Sequence, residues 1–295
     1  MTETTEPNIL FVINPKSGSE RRDYEPLINN FFQSTCYHLH FYYLKGKNDD
    51  YEIEEIIRKI EPQIVTAVGG DGTISLVAKK LLGTTIKLGI LPAGSANGMA
   101  KELNISEDLD EALQIIKTDY SKKADVIFIN NLLCLHLADI GLNARLVKYF
   151  EEGNMRGHWG YAKVALKVFL SQRYMKVNIR YGTKNIRRNA LMVVLANASK
   201  YGTGAVINPN GNPYDGLFEV VIIKQMGFIT LLKMWFKPSG LSPNHTEIIQ
   251  AHEVSIQTQR KMHFQVDGEY IGKVQKINAH IVPSQLNIII PKGYN

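Results

Sequence analysis

The sequence predicts a parallel α/β domain followed by a β-rich domain of sandwich type, on three observations. Up to about residue 124, short apolar runs alternate with segments whose apolar residues recur at helical spacing. From Ala124 onward the chain becomes a series of short β-rich runs separated by turn residues. The last run, LNIII from Leu286, stands alone after that series and is expected to return to the first domain, where its apolar side chains are covered. The expected domains are 1–124 with 284–295, and 125–283.

In the first domain, NILFVI (Asn8 to Ile13) is a strand that stops at the turn-rich NPKSGS. Tyr24 to Phe32 has helical spacing, and Tyr37 to Leu44 is β-rich. Tyr51 to Ile60 places isoleucines on one helical face and ends before Pro62. Ile64 to Val68 is a strand that breaks at GGDGT, and Ile74 to Leu82 is helical. Ile86 to Leu91 is a further strand, and a helix starts near Ala96. Strands separated by helices require crossovers and hence a parallel sheet. In the second domain DVIFIN, LLCLHLADIG, KVNIRYG, NALMVVLANA, LFEVVII, HEVSIQT, KMHFQVDGEYI and INAHIVP are the expected strands. Helical inserts are expected over 157–170 and 227–237.

The chain has 295 residues, 44% hydrophobic and 21% charged, a composition suited to packed cores rather than disorder. The net charge of +6 fits anionic partners, and equally fits ordinary solubility charge. Cys36 and Cys134 lie in apolar stretches without CxxC spacing, so buried free thiols in a reducing compartment are expected. The polar start MTETTEP does not read as a signal peptide, and no run reaches the roughly 18 apolar residues a spanning helix needs. The expected location is cytoplasmic, with any membrane contact peripheral. No sequence feature specifies an oligomeric state, and no nucleic-acid motif accompanies the basic residues.

Three loops follow expected strands and carry glycine, asparagine and hydroxyl residues: Asn14-Pro15-Lys16-Ser17-Gly18, Gly69-Gly70-Asp71-Gly72-Thr73, and Pro92 to Asn97 with Gly94 and Ser95. Ligands of parallel sheets bind at the carboxyl ends of the strands, where such loops converge. Glycine lets the backbone approach phosphate oxygens, and the following helix offers free N–H groups. Asp71 would repel phosphate unless a cation intervenes, and Mg²⁺ is the expected one. Each loop alone is an ordinary turn; three at successive strand-to-helix junctions are not. GxxxxGK[ST] is absent, as is GxGxxG in the first βα unit.

NPKSG, VGGDGT and LPAGSANGMAKEL, in this order, resemble the diacylglycerol kinase catalytic-domain family of lipid kinases, which includes sphingosine and ceramide kinases. ADIGLNA (from Ala138), DGL (from Asp215) and VDGE (from Val266) extend the resemblance over nearly the whole chain. It implies a Rossmann-like first domain that binds ATP and a β-sandwich second domain that receives the lipid. Asn14, Pro15, Lys16, Ser17, Gly18, Gly69 to Thr73, Gly94, Ser95 and Asn97 would contact nucleotide. Asp71 would act through Mg²⁺-ATP, although some relatives use the corresponding aspartate as base. Asp267 and Glu269 are assigned as the base pair; two residues apart, they would share one side of a straight strand, and an Asp-Gly turn is the alternative. Asp215, with backbone carbonyls of Asn212 and Leu217, would hold a structural Mg²⁺, or form only a hairpin turn. Asp139, Asn143 and Arg145 fall at the implied lipid site.

The chain departs from the family at several positions. Gly98 replaces a frequent aspartate, Asn143 another, Arg145 adds a positive charge, and Ser95 replaces threonine while keeping the hydroxyl. Leu44 stands where relatives often have a nucleotide-contacting threonine, so a contact there would be through backbone. The apolar, lysine-flanked 227–237 suits a membrane interface or a buried helix. The segment 156–163 would line the lipid entrance or simply pack, and Lys184, Arg187 and Arg188 would face anionic lipid or solvent. An NAD kinase-like enzyme and a non-catalytic lipid- or nucleotide-binding protein are the alternatives to a lipid kinase.

Overall fold

A computed structural model describes residues 7–18, 22–152, 167–168, 170–171, 174–197, 208, 211–225, 227 and 243–294. The inserts 156–163 and 228–237 lie outside the described residues, as does most of 157–170. The chain divides into two compact units, 1–124 with 284–295, and 125–283.

The first unit carries strands β1 (Asn8–Ile13), β2 (His38–Tyr43), β3 (Ile64–Gly69) and β4 (Lys87–Pro92), all parallel, in the order β2-β1-β3-β4. Between them run α1 (Tyr24–Phe32), α2 (Asp49–Ile60) and α3 (Asp71–Leu81); α4 (Gly98–Glu102) and α5 (Leu109–Thr118) follow. The chain moves from β1 outward to β2, then crosses back to β3 on the other side of β1. That reversal makes the β1/β3 crevice a topological switch point. β3 is buried along its whole length, as expected of a strand covered on both faces. Helix α3 packs on β3 and β4, and α5 on β4. Helix α5 is one element the sequence pattern did not reveal; Asp108 caps its start by accepting from the Glu111 N–H at 3.0 Å.

The second unit holds β5 (Ser121–Ile129), β6 (Leu132–Cys134), β7 (Leu137–Gly141), helix α6 (Leu142–Glu152), β8 (Met175–Tyr181), β9 (Lys184–Ala190), β10 (Met192–Ala196), β11 (Phe218–Ile223), β12 (Thr246–Ala251), β13 (Glu253–Val266) and β14 (Glu269–Ile289). Apart from the ends of β5 and β14, these elements lie within 125–283. The sandwich-like arrangement follows from β13. Its first half pairs with β8, its second half with β7, and its register shifts between Gln257 and Met262. A long strand with such an irregularity can feed two sheets. β8 alternates Met175, Val177 and Ile179 inward with Lys176 and Arg180 outward. The inward residues join a core with Phe218, Phe264 and Ile277.

Several elements differ from expectation. KMHFQVDGEYI is two strands around a turn, because Asp267 and Gly268 both take positive φ, 48° and 87°. INAHIVP and LNIII form one strand, whose end pairs in parallel with β4 at Asn287 to Lys87. LLCLHLADIG is split at Leu135 and His136 into β6 and β7. Cys134 is buried, but Cys36 is exposed, since it sits in the turn before β2 rather than in the strand.

Candidate functional site

The three glycine-bearing loops meet at the carboxyl ends of β1, β3 and β4. The Asn14 N–H donates to Val68 O at 3.0 Å, and Asn14 Nδ2 donates to Thr73 Oγ1 at 3.3 Å. These bonds tie the first loop to the second across the switch point. Asn14 Oδ1 also accepts from the Lys16 N–H at 3.0 Å, which shapes the turn of its own loop. The Ala93 N–H donates to Gly69 O at 3.0 Å, joining the second loop to the third. A Cβ on Gly94 would lie 2.5 Å from Gly70 Cα, so the two backbones touch only because both residues are glycine. A Cβ on Gly69 would land on the Thr73 hydroxyl.

Pro15, Lys16, Gly18, Gly72 and Ser95 are exposed, and Ser17, Gly70 and Asp71 half-buried. Helix α3 starts here with Gly70 as its N-cap and no side chain over its first N–H groups. The cluster therefore presents backbone donors, hydroxyls and one lysine, the complement an oligophosphate needs.

Some expected contacts become scaffold. Asn97 is buried; its Oδ1 accepts from the Gly94 N–H at 2.8 Å and its Nδ2 donates to Glu107 at 3.1 Å, so its amide is spent on holding the loop. The Leu44 N–H, a possible backbone contact, donates to Ile13 O at 2.8 Å. Asp71 accepts from the Gly98 and Met99 N–H groups, both at 2.9 Å. Each oxygen of that carboxylate keeps a free acceptor direction, so Asp71 fits a magnesium-bound phosphate as well as its structural task.

The expected Asp267 and Glu269 pair does not form on one strand face. Asp267 and Gly268 make a two-residue turn between β13 and β14, and Glu269 lies opposite Val266. Positive φ at both turn residues matches the twist of a hairpin, for which Asp-Gly is well suited. The half-buried Asp267 carboxylate accepts from the N–H groups of Leu135 (2.8 Å), His136 (2.9 Å) and Leu137 (3.0 Å). Burial pushes this carboxyl up, against the opposing pull of those N–H donors. Oδ1 takes two of these N–H groups and Oδ2 one, so the carboxylate is engaged chiefly in holding the β6–β7 connection. Glu269 is exposed, and no hydrogen bond or ion pair ties its carboxylate among the described residues.

Asp139, expected at the lipid site, is 1% exposed and enclosed by Asn143 Nδ2 (2.6 Å), the Ala144 N–H (2.8 Å) and Gln265 Nε2 (2.5 Å). A carboxylate so buried and satisfied is a hub, not a ligand contact. Asn143 is turned to it, whereas Arg145 lines an open cavity. Gln265, which sequence reasoning missed, also accepts from the Gly268 N–H at 2.8 Å and so fastens the turn to Asp139. No motif marked it.

Asp215 is exposed and accepts from the Leu217 N–H at 2.9 Å, while Asn212 Oδ1 accepts from the Tyr214 N–H at 3.1 Å. Asp125 braces the same loop through the Gly216 N–H at 2.7 Å. Among the described residues no three His, Cys, Asp or Glu side chains gather as a metal cluster. A cation there would rest on Asp215 and backbone oxygens.

Residues 8–129 match the diacylglycerol kinase catalytic domain, and residues 137–290 the YegS C-terminal NAD kinase beta sandwich-like domain. A diacylglycerol kinase of Bacillus subtilis is 24% identical over 242 residues, covering 79% of each chain. The solved structure of a diacylglycerol kinase from Bacillus anthracis superposes with a TM-score of 0.75 at 19% identity, covering 98% of both chains. An NAD kinase from Archaeoglobus fulgidus, solved in complex with ATP, shares the fold at a TM-score of 0.55 and 11% identity, over 96% of this chain and 94% of its own.

A Rossmann-like unit with a phosphate-suited loop cluster, followed by a β-sandwich and a strand returning to the first sheet, defines the kinase class. Within that class the chain belongs to the diacylglycerol kinase catalytic-domain family of lipid kinases.

Proposed function

We propose that the protein is an ATP- and Mg²⁺-dependent kinase that moves the γ-phosphoryl group of ATP to the hydroxyl of a lipid, diacylglycerol-like or sphingoid. The observation that carries this reading is the meeting of residues 14–18, 69–73 and 94–97 at a switch point, tied by Asn14 and Ala93 and packed glycine against glycine. The exposed loop atoms bind the nucleotide phosphates, and Asn14, Gly69 and Asn97 hold the loops in shape. The A. fulgidus NAD kinase of the same fold, solved with ATP, supports a nucleotide as donor. Magnesium, when bound, neutralises charge on the phosphoryl group in transfer. Asp71 would hold it through ATP, and Asp215 with the oxygens of Asn212 and Leu217 would hold a structural ion.

Glu269 is the general base for the lipid hydroxyl, since its carboxylate is exposed and uncommitted. Asp267 is a positioning residue that fixes the turn from which Glu269 projects. The enzyme works in the cytoplasm, peripheral to the inner face of the membrane, where its substrate lies. No helix among the described residues is long and apolar enough to cross a membrane.

The test is phosphate transfer from labelled ATP to mixed lipid micelles, with NAD as the competing acceptor. Lipid labelling that needs Mg²⁺ and falls about 100-fold or more in kcat for Glu269→Gln is expected. Labelled NAD instead of lipid, or ATP binding without turnover on any acceptor, would refute it.

A further inference from the structure

Within the second unit, a cavity of about 430 Å³ opens between helix α6 and the β13–β14 hairpin. Helix α6 contributes Arg145 and Lys148, three residues apart and therefore on one helical face. The hairpin contributes Arg260, Lys261, His263 and Lys273, with His263 directly opposite Lys273 in register. None of the described residues lining the cavity is acidic.

Some cations elsewhere have carboxylate partners: Arg188 and Lys224 meet Glu247, and Lys80 meets Asp50 and Glu54. Arg260, Lys261 and Lys273 have no carboxylate partner among the described residues. Gathering five positive side chains around one hollow costs repulsion that nothing in the unit's described core requires. The phenol of Tyr149, beside the cavity, registers the field: a hydrogen bond from Arg145, with Arg145, Lys167 and Lys148 nearby, pulls it below the usual tyrosine value. Arg145 is held in place, donating to Ser171 O at 2.9 Å and lying over the Tyr149 ring at 5.7 Å.

We infer that this cavity is a binding site for a phosphate group, carried either on a lipid head group or on a small soluble phosphate ester. Guanidinium and ammonium donors from two elements suit the several acceptor oxygens of one phosphate, and the planar Arg145 fork supplies direction. The cavity is built from residues of the second unit alone, and the inference does not depend on the kinase reading.

Binding by the full chain would be measured with two probes. One is glycerol 3-phosphate in solution; the other is phosphatidylcholine vesicles with and without phosphatidylglycerol. The variant Arg260→Gln/Lys261→Gln/Lys273→Gln removes exposed cations of the cavity. Lys59→Gln/Lys79→Gln/Lys276→Gln removes three exposed cations elsewhere. The first triple is expected to weaken binding about tenfold or more and the second less than about threefold, beyond what a change of net charge produces. Loss of glycerol 3-phosphate binding identifies a site open to soluble esters; loss confined to phosphatidylglycerol vesicles identifies a lipid head group. Absence of binding to either probe overturns the site, as does equal loss in the two triples or retention in the first. Arg145→Gln alone, tested with the same probes, must also weaken binding.

Discussion

Asp71-Gly72 and Asp267-Gly268 are the same dipeptide in two units, and the chain uses them in opposite ways. In the first, Gly70 caps α3 and the Asp-Gly pair begins that helix, leaving the aspartate at the rim of a loop cluster. Its carboxylate accepts two N–H groups from the start of α4 and keeps acceptor capacity. In the second, the pair is a hairpin turn, and its carboxylate is committed to three N–H groups of another connection. Local composition does not decide whether an aspartate is available for chemistry. The number of backbone donors brought to it does.

The comparison breaks most sharply on activity. Asp71→Ala is expected to lower kcat/KM at least about a thousandfold, through loss of productive Mg²⁺-ATP. Steady-state rates at saturating lipid would check this, and an unimpaired variant would show Asp71 to be as purely structural as Asp267. The next effect is on stability. Asp267→Ala leaves three N–H groups without their acceptor and is expected to cost about 3 kcal/mol in urea unfolding, whereas Glu269→Gln should stay within about 0.5 kcal/mol. Equal costs for the two would remove the distinction between anchor and base.

Gly94→Ala should displace the second and third loops where the added methyl meets Gly70, for about 1–3 kcal/mol and a raised KM for ATP with the lipid KM unchanged. Thermal unfolding would measure the first, and steady-state rates with ATP and lipid varied in turn the second. The smallest expected effect is at the surface, where Arg188 and then Lys224 hold the Glu247 carboxyl down to about 2. A carboxyl lowered on folding stabilises above its unfolded value of about 4.3 and loses that contribution as pH falls toward the folded value. Because the pair is partly exposed, Glu247→Gln should cost about 1 kcal/mol at pH 7 and almost nothing near pH 2.

The strands of the first unit, and its helices apart from α5, were legible because each is announced locally. Ile9 to Ile13 is a continuous apolar run and Ile64 to Val68 is one interrupted only by Thr66, and both stop at glycine- or proline-bearing turns. The loop cluster was legible for the same reason, as three turns after three strands. The sandwich was readable as a class but not in its joints. β13 passes through its irregularity without a glycine or proline to mark it, and VDGE reads as strand or turn until the φ angles are known. Gln265 and, apart from Arg145, the basic lining of the cavity were invisible, since their neighbours come from elements distant in the chain.

From its order of apolar periods and turn residues alone, this chain determined a parallel α/β unit, a following β-rich unit, a returning last strand and the motifs that carry the family. Those are local or repeating properties, set by side-chain period and backbone sterics. Only the tertiary structure decided which carboxylates are engaged. Asp267 meets Leu135 across 132 positions of sequence, and Asp139 meets Gln265 across 126. A charge is released or spent by the donors folding delivers to it, and no spacing within a motif records how many will arrive.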